Sequence, residues 1–323
     1  MARAVDAEAF GAFTVSFTVY SMAVLASRSL ASTPLAMRFA AVGPAEFRTA
    51  AAESTGTAAV LGAALGLLVL VAGLTIDGGV GTALLALAPL MPGLAVQDAW
   101  RQAFLAERRP ERAALIDGAW MVVQTVLVVV LLAVGSDSPA PYVLAWGVAA
   151  TVAAVVGAQR AGAAPRVRSA RAWLRAHWDL TRFMTLEAVL LQGAYQGALL
   201  LVGAVGTLAY VGYLRGAQVV LGPVSLLAAS AMAFGVPEMA RRVGMTARQR
   251  VLAAAGLGGL LGLAGLAWGV CMLLLPHSWG VQLLGDSWDG VRAVLLASVV
   301  GQVGNLISSG PACAVYALSL IHI

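Results

Sequence analysis

The chain has 323 residues, of which 60% are hydrophobic and only 11% are charged, and its formal net charge is +5. A soluble globular protein carries about 25% charged residues. This composition therefore excludes a water-soluble fold and predicts a protein surrounded by lipid. The positive charge does not indicate nucleic acid, because the arginines recur between long apolar stretches and do not form one basic surface.

Sixteen of the 20 basic residues lie in four clusters that are separated by apolar sequence. The clusters consist of Arg38 and Arg48; Arg101, Arg108, Arg109 and Arg112; Arg160, Arg166, Arg168, Arg171, Arg175 and Arg182; and Arg241, Arg242, Arg248 and Arg250. The first three gaps are 52, 47 and 58 residues long, and one membrane-spanning helix needs about 20. Each gap therefore predicts two spans joined by a short turn.

The pattern predicts nine membrane-spanning helices. In chain order they are 10–33, 55–76, 80–104, 113–134, 141–159, 183–204, 207–232, 251–275 and 291–316. Arginine is retained on the cytoplasmic side of a membrane. The segments assigned to the cytoplasm are 37–53, 101–112, 160–182 and 240–250. The segments assigned to the outside carry no arginine and are 77–79, 135–141, 205–206 and 276–290.

The segment 161–182 is the longest predicted connection, and it divides a predicted N-terminal lobe (1–160) from a C-terminal lobe (183–317). One helical face carries Arg168, Arg171, Arg175 and Arg182, and the other carries Trp173, Leu174, His177 and Trp178. The pattern predicts an amphipathic helix on the cytoplasmic membrane surface, with tryptophan rings among headgroups and arginines on anionic inner-leaflet lipids. An ordinary polar linker is the alternative.

Two observations concern the relation between the lobes and the ends of the chain. A proline followed four residues later by an arginine occurs in PLAMR at 34–38 and in PEMAR at 237–241. This match favours a parallel duplication of two pseudo-symmetric lobes, and a chance match is the alternative. The start on the outer side predicts one earlier span. Residues 318–323 (LSLIHI) resemble a translated sequencing adapter. We therefore expect a fragment that lacks helices at both ends.

No catalytic pattern of the HExxH, GxSxG, CxxC or phosphate-loop type occurs, so we expect no enzyme activity and no cofactor or metal. A glycine run lies within the predicted eighth span and comprises Gly256, Gly258, Gly259, Gly262 and Gly265. It predicts a close-packing helix face and not a nucleotide loop.

Ionisable side chains inside a span are costly and mark a cavity or a charged partner. Three qualify, namely Arg28, Glu187 and Arg215. Polar residues near them, many at helical spacing, extend the candidate site to Gln192, Gln196 and Gln218. Two of these side chains are arginines, and Glu187 is the one clear acid. The set therefore predicts a positively charged cavity that binds an anionic group such as pyrophosphate. Snorkelling to the interface, Arg–Glu pairing between helices and interhelical hydrogen bonds by the glutamines are the alternatives.

Two segments resemble the polysaccharide-export flippases of the O-antigen (Wzx) type. The matching positions of the first are Phe10, Gly11, Phe13, Arg28, Leu30, Pro34, Leu35 and Arg38. The matching positions of the second are Arg215, Ala217, Gln218, Gly222, Pro223, Pro237 and Arg241. The resemblance extends to Ala317, and related multidrug exporters share the architecture that it implies.

The resemblance implies two six-helix lobes around a central cavity, alternating access, and nine spans equivalent to family helices two to ten. The expected function is a monomeric flippase of the bacterial inner membrane that moves a lipid-linked anionic oligosaccharide, with Arg28 and Arg215 holding its phosphate charge. An ion-coupled multidrug exporter is the alternative. A polytopic membrane enzyme is a weaker one, because no large acidic loop is present.

Overall fold

The computed structural model describes residues 7–39, 42–190, 194–241 and 244–321, and all regular structure in these ranges is helical. The first part contains α1 (Ala7–Ser27), a π-helical turn (Arg28–Ser32), α2 (Thr33–Arg38), α3 (Pro44–Thr75), α4 (Gly78–Leu87), a 3-10 turn (Ala88–Leu90), α5 (Met91–Ala106), α6 (Pro110–Ala133) and α7 (Pro139–Ala161). A 3-10 turn (Val167–Ser169), α8 (Ala170–Ala176), α9 (Trp178–Ala188), α10 (Ala194–Val205), α11 (Leu208–Val220) and α12 (Gly222–Arg241) follow. The last helices are α13 (Ala247–Leu273), α14 (His277–Leu284) and α15 (Trp288–Ile321).

Eight of the nine predicted spans have counterparts in the described residues. Seven helices are long and apolar enough to cross a membrane, and an eighth candidate is the pair Leu208–Val220 and Gly222–Met232, bent by 58°. The remaining prediction, 183–204, includes residues 191–193, which lie outside the described residues. The all-α polytopic membrane class is therefore confirmed.

Contacts divide the chain into two compact units, one from Arg3 to Val211 and the other from Gly212 to Ile323. The linker and helices α9 and α10 thus belong to the same unit as α1–α7 by contact. The lobe boundary that the sequence places at 161–182, and the internal duplication, stay predictions.

Helix α3 allows its neighbours in the first unit to approach closely. Eleven of its thirteen buried residues are Ala, Gly, Ser or Thr. A Cβ on Gly62 would lie 2.8 Å from the Met91 carbonyl oxygen, and one on Gly66 would lie 2.6 Å from that of Ala88. The hydrophobic effect does not drive helices together in lipid. Small residues allow close van der Waals contact, which stabilises the helix pair instead.

The connections of the first unit group as the alternation predicts. Near one end, the Arg166 N–H donates to the Ala52 carbonyl over 2.7 Å, and the Arg112 guanidinium donates to the Arg160 carbonyl over 3.2 Å. The segments 37–53, 101–112 and 160–182 therefore meet, and we call this the arginine end. At the other end of α3, a Cβ on Gly79 would lie 3.8 Å from Pro139.

The linker does not form the single amphipathic helix predicted within 161–182. Residues 163–166, which have no regular structure, lead to a 3-10 turn, and α8 and α9 are separated by a break at His177, with φ −117° and ψ 10°. Trp173 is 3% exposed and stacks on Phe39 at 5.8 Å, so the protein core buries this ring and not the lipid headgroups. Trp178 and the arginine face are exposed, as contact with lipid requires, and that contact stays a prediction.

Two predicted connections are largely helical. In 37–53, α3 begins at Pro44 after an extended Gly43, with Glu46 in its first turn, which is a favourable helix start. In 276–290, α14 begins at His277, and the indole of Trp288 lies against Gly280. Hydropathy did not predict the helical structure of these two connections, because it detects the lipid-embedded part of a helix and not its polar continuation.

Helices α13 and α15 of the second unit pack along the predicted glycine face. A Cβ on Gly258 would lie 2.4 Å from the Ile307 carbonyl oxygen, and one on Gly265 would lie 2.2 Å from the Leu306 side chain. Gly262 also faces Ile307, whereas Gly256 and Gly259 face open space. The close-packing interpretation is confirmed for three of the five glycines.

The grouping of the connections generates a test of orientation. Asp137→Cys and Arg168→Cys place a thiol at exposed positions at opposite ends of the first unit, in a chain that also carries Cys271→Ala and Cys313→Ala. In intact cells a membrane-impermeant maleimide is expected to label Asp137→Cys, and Arg168→Cys only after permeabilisation, because arginine-bearing segments are retained in the cytoplasm. Labelling of both thiols in intact cells would contradict the alternation.

Candidate functional site

Five polar side chains within the spans of the first unit form two hydrogen-bonded groups that adjoin each other along α5, and we call them together the charged cluster. It consists of Arg28, Gln97, Asp98, Arg101 and Asp117. Arg28 starts the π-helical turn after α1, the next three lie on α5, and Asp117 lies on α6. Three helices that pack together thus supply charged groups to one region near the arginine end.

Arg28 and Asp98 form a bidentate ion pair. The Arg28 Nε donates to Asp98 Oδ2 over 2.8 Å, and Nη2 donates to Oδ1 over 2.6 Å. The Asp98 side chain is only 7% exposed, whereas that of Arg28 is 43% exposed. Paired N–H donors match the two carboxylate oxygens, which makes this the strongest common arrangement of these groups. The accessible partner is therefore the cation.

The π-helical turn that carries Arg28 has a local cause. Pro34 lacks an N–H, so it cannot bond to a carbonyl one turn earlier. The Thr33 N–H instead reaches back five residues to the Arg28 carbonyl. Across the helix interface, the Ser54 hydroxyl donates to the Ala31 carbonyl over 2.9 Å. Such single-turn π-bulges occur frequently at functional sites.

Ser32, in the same turn, adds an observation that the sequence did not predict. Its hydroxyl is buried and has no hydrogen-bond partner among the described residues. A buried hydroxyl without a hydrogen-bond partner costs free energy. The turn beside the ion pair therefore contains one unsatisfied polar group.

Asp117 connects the rest of the charged cluster. Gln97 Nε2 donates to Asp117 Oδ1 over 3.1 Å, and Arg101 Nε donates to Oδ2 over 2.8 Å. The cluster thus contains two arginines and two aspartates. The expectation that Glu187 is the one clear intramembrane acid is wrong, and Arg28 lies in a balanced group of charges.

The sequence contained a signal for the missed residues. Gln97, Asp98 and Arg101 occur together in VQDAWR, and positions three and four apart share a helix face. The motif lies at the end of the predicted span 80–104, where Arg101 was assigned to the following loop. The partner of Arg28 is 70 residues away in the chain, so no local spacing could identify it.

The other predicted residues are placed as follows. Arg215 Nη1 donates to Gln218 Oε1 over 3.0 Å, as their spacing on α11 allows. Gln192 and the side chains of Glu187 and Gln196 lie outside the described residues. Their predicted roles stay predictions.

A second polar group holds the linker against the first span. Arg38 Nη1 lies 2.9 Å from His177 Nδ1, and Nη2 lies 2.5 Å from Asp179 Oδ2. Burial lowers the pKa of His177, the Arg38 charge lowers it further, and Asp179 raises it. The hydrogen bond from Arg38 lowers the pKa of Asp179. A neutral imidazole that accepts at Nδ1 fits this arrangement, because a protonated ring would present a donor to a donor.

Two concave regions differ in polarity. In the second unit, an open groove of about 500 Å³ is lined mainly by apolar side chains, among them Val224, Leu227 and Trp268. In the first unit, a pocket of about 230 Å³ lies at the arginine end.

No group of three or more His, Cys, Asp or Glu that could hold a metal ion occurs among the residues that the structure describes.

Comparison with known proteins gives no match to a protein-family model, to a curated protein or to a solved structure. The function must therefore be argued from the residues themselves.

The ion pair predicts the response to neutralising one partner. Asp98→Asn leaves the partly buried Arg28 charge without its counter-ion, which we expect to lower the free energy of unfolding by about 3 kcal/mol. In Arg28→Gln/Asp98→Asn neither charge remains, so part of this loss should be recovered. Denaturant unfolding in detergent, followed by circular dichroism, measures these two variants and the single variant Arg28→Gln. A double variant whose loss equals the sum of the two single losses would contradict the coupling.

The lowered pKa of His177 predicts a pH dependence with a defined sign. The unfolded chain takes up a proton near the ordinary pKa of about 6.5, whereas the folded chain resists protonation until lower pH. The stability contributed by this contact is therefore complete above the unfolded pKa and is lost as pH falls towards the folded pKa. We expect the melting temperature of the wild type to fall between pH 7.5 and 5 more steeply than that of His177→Gln. Parallel curves would show that His177 does not titrate in this contact.

Proposed function

We propose that the chain is a transporter that moves a lipid-linked anionic oligosaccharide precursor across the bacterial inner membrane by alternating access, with the arginine end in the cytoplasm. The observation that carries the proposal is the ion pair in which Arg28 is 43% exposed and Asp98 only 7%. An intramembrane ionisable group is by default a functional candidate, and here the cation can still be reached.

Partner exchange at Arg28 gives the ion pair a role in transport. A phosphate group offers more acceptor oxygens and more negative charge than a carboxylate, and arginine binds either in the same bidentate geometry. An incoming phosphate can therefore take the place of Asp98 on the Arg28 guanidinium. Asp98 then stabilises the resting state, in which an unpaired arginine within a span would cost about 2.5–3.5 kcal/mol.

Helix irregularities support a protein that changes conformation. The first span contains the π-helical turn at Arg28–Ser32, the third contains a 3-10 turn at Ala88–Leu90, and α11 and α12 meet at a 58° bend. Such departures from α-helical geometry are frequent at functional sites, and interrupted membrane helices are characteristic of transporters. The first of these breaks carries two residues of the flippase resemblance, Arg28 and Leu30.

An ion-coupled multidrug exporter of the same superfamily is the second candidate, and one observation favours it. Asp98 and Asp117 both lie within spans and both have basic partners. A carboxylate that loses its arginine in a low-dielectric site takes up a proton more readily. The charged cluster can thus exchange protons, which is the chemistry that coupling to a proton gradient requires.

Transport in proteoliposomes distinguishes the two candidates. A fluorescent polyprenyl-pyrophosphate-linked disaccharide is supplied, and the fraction that crosses is measured by quenching with a membrane-impermeant reductant. Arg28→Gln and Arg215→Gln should each lower the rate about tenfold or more, because a charge-assisted hydrogen bond contributes about 1.5–3 kcal/mol. Arg292→Gln, at an exposed position, removes the same charge and should leave the rate unchanged.

Unchanged transport by Arg28→Gln would remove Arg28 from the mechanism. Proton-driven efflux of a cationic dye that Asp98→Asn abolishes, without any lipid movement, would establish the second candidate instead.

A further inference from the structure

A second charged site lies apart from the residues assigned to transport, and we call it the basic pocket. It is the 230 Å³ cavity at the arginine end, formed where α3, α5, α6 and α7 begin or end. Its charged lining consists of Arg48, Arg109, Arg112, Arg160 and Glu107. The pocket lies within the first unit and draws on three of the four arginine clusters of the sequence.

The positive charge of the basic pocket is largely uncompensated. Arg48 and Arg160 are exposed, and their side chains have no hydrogen bond or ion pair with any described residue. Arg109 and Arg112 share the single carboxylate of Glu107 at 3.4 and 3.7 Å, which is loose for paired groups. Four arginines against one glutamate leave a formal charge of +3.

The rest of the lining is apolar and aromatic. Phe47, Trp100 and Phe104 are buried in the wall, and the Arg112 guanidinium lies 5.9 Å from the Phe104 ring centroid. The Trp100 indole N–H is buried and has no hydrogen-bond partner among the residues that the structure describes. Charged groups above an apolar wall, at the end of membrane-spanning helices, match an amphiphile that lies at the membrane surface.

Helix ends at the pocket act in both directions, because α3 and α6 begin there and α5 and α7 end there, so the preference for an anion rests on the arginines. Pro44, the first residue of the 32-residue helix α3, lines the pocket, and Arg109 is the N-cap residue of the 24-residue helix α6. The first N–H groups of a helix and its dipole both favour negative charge, which is why phosphates bind at such ends.

We propose that the basic pocket binds the phosphate group of an anionic membrane lipid at the arginine end. Basic pockets between membrane helices on the cytoplasmic side suit such headgroups. Sites for drug-sized ligands occupy about 300–1,000 Å³, so this pocket accommodates a headgroup phosphate and not an oligosaccharide or a drug. The site does not depend on the proposed transport activity and does not involve Arg28. A free phosphate ion shares the chemistry and is separated by the experiment.

Native mass spectrometry of the full chain in detergent tests the proposal. The protein is mixed with phosphatidylglycerol or with phosphatidylcholine of the same acyl chains, and the retained lipid is counted with and without excess inorganic phosphate. Arg48→Gln/Arg160→Gln removes the two unpaired charges of the pocket. Arg248→Gln/Arg292→Gln is the matched control, since both residues are exposed, lie outside the pocket and do not belong to the linker face predicted to contact inner-leaflet lipids. Equal melting temperatures show that both variants fold.

The wild type is expected to retain phosphatidylglycerol in preference to phosphatidylcholine. The pocket variant should lose this preference by about fivefold for each arginine, since one arginine near anionic lipid contributes about 1 kcal/mol. The control should keep it. If excess inorganic phosphate does not displace the retained phosphatidylglycerol, the ligand of the pocket is the lipid. If inorganic phosphate displaces it, the ligand of the same pocket is a soluble phosphate and the lipid proposal is wrong. An equal loss in both variants, or no preference in the wild type, would overturn the proposal.

Discussion

The arrangement of the first unit depends on one constraint, which is that a charge within lipid must have a partner. The bilayer interior supplies no hydrogen bonds, so a charge or a backbone polar group at that depth is costly unless the protein supplies its partner. Arg28 meets this requirement through Asp98, and Arg101 through Asp117. These two pairs join α5 to the first span and to α6, so their relative register is fixed by polar contacts as well as by packing.

Close packing is what brings the charged cluster together. Helices in lipid are not driven together by the hydrophobic effect, and small residues at their interfaces compensate by increasing contact. The small residues of α3 let α5 approach until a Cβ on Gly62 would lie 2.8 Å from the Met91 carbonyl oxygen. The same helix supplies Ser54, whose hydroxyl satisfies a carbonyl of the π-helical turn. One alanine- and glycine-rich helix therefore supports both the bundle and the irregular turn at Arg28.

The sequence predicted features that depend on composition and short-range spacing. Long apolar stretches located eight spans, the arginine clusters grouped the connections of the first unit, and Arg215 was placed near Gln218, which it contacts. Features that depend on distant residues were missed. Asp98 was not recognised as the partner of Arg28, and the break at His177 was not foreseen. That break forms where Arg38, at the end of the first span, binds the imidazole.

The arginines of the first unit therefore have different roles, although they resemble one another in sequence. Arg28 and Arg101 are paired inside the spans, and Arg38 holds the linker to the first span. Arg48 and Arg160 lie at the same end of the helices, but their side chains form no hydrogen bond or ion pair with a described residue. The predicted retention of arginine in the cytoplasm would account for the grouping of the clustered arginines of the first unit at one end, because it depends only on charge and on the side of the membrane. It does not account for two arginines without ion-pair partners that both line one pocket with aromatic walls. That convergence requires a separate explanation, and an anionic headgroup at the membrane surface supplies one that is independent of what the chain transports.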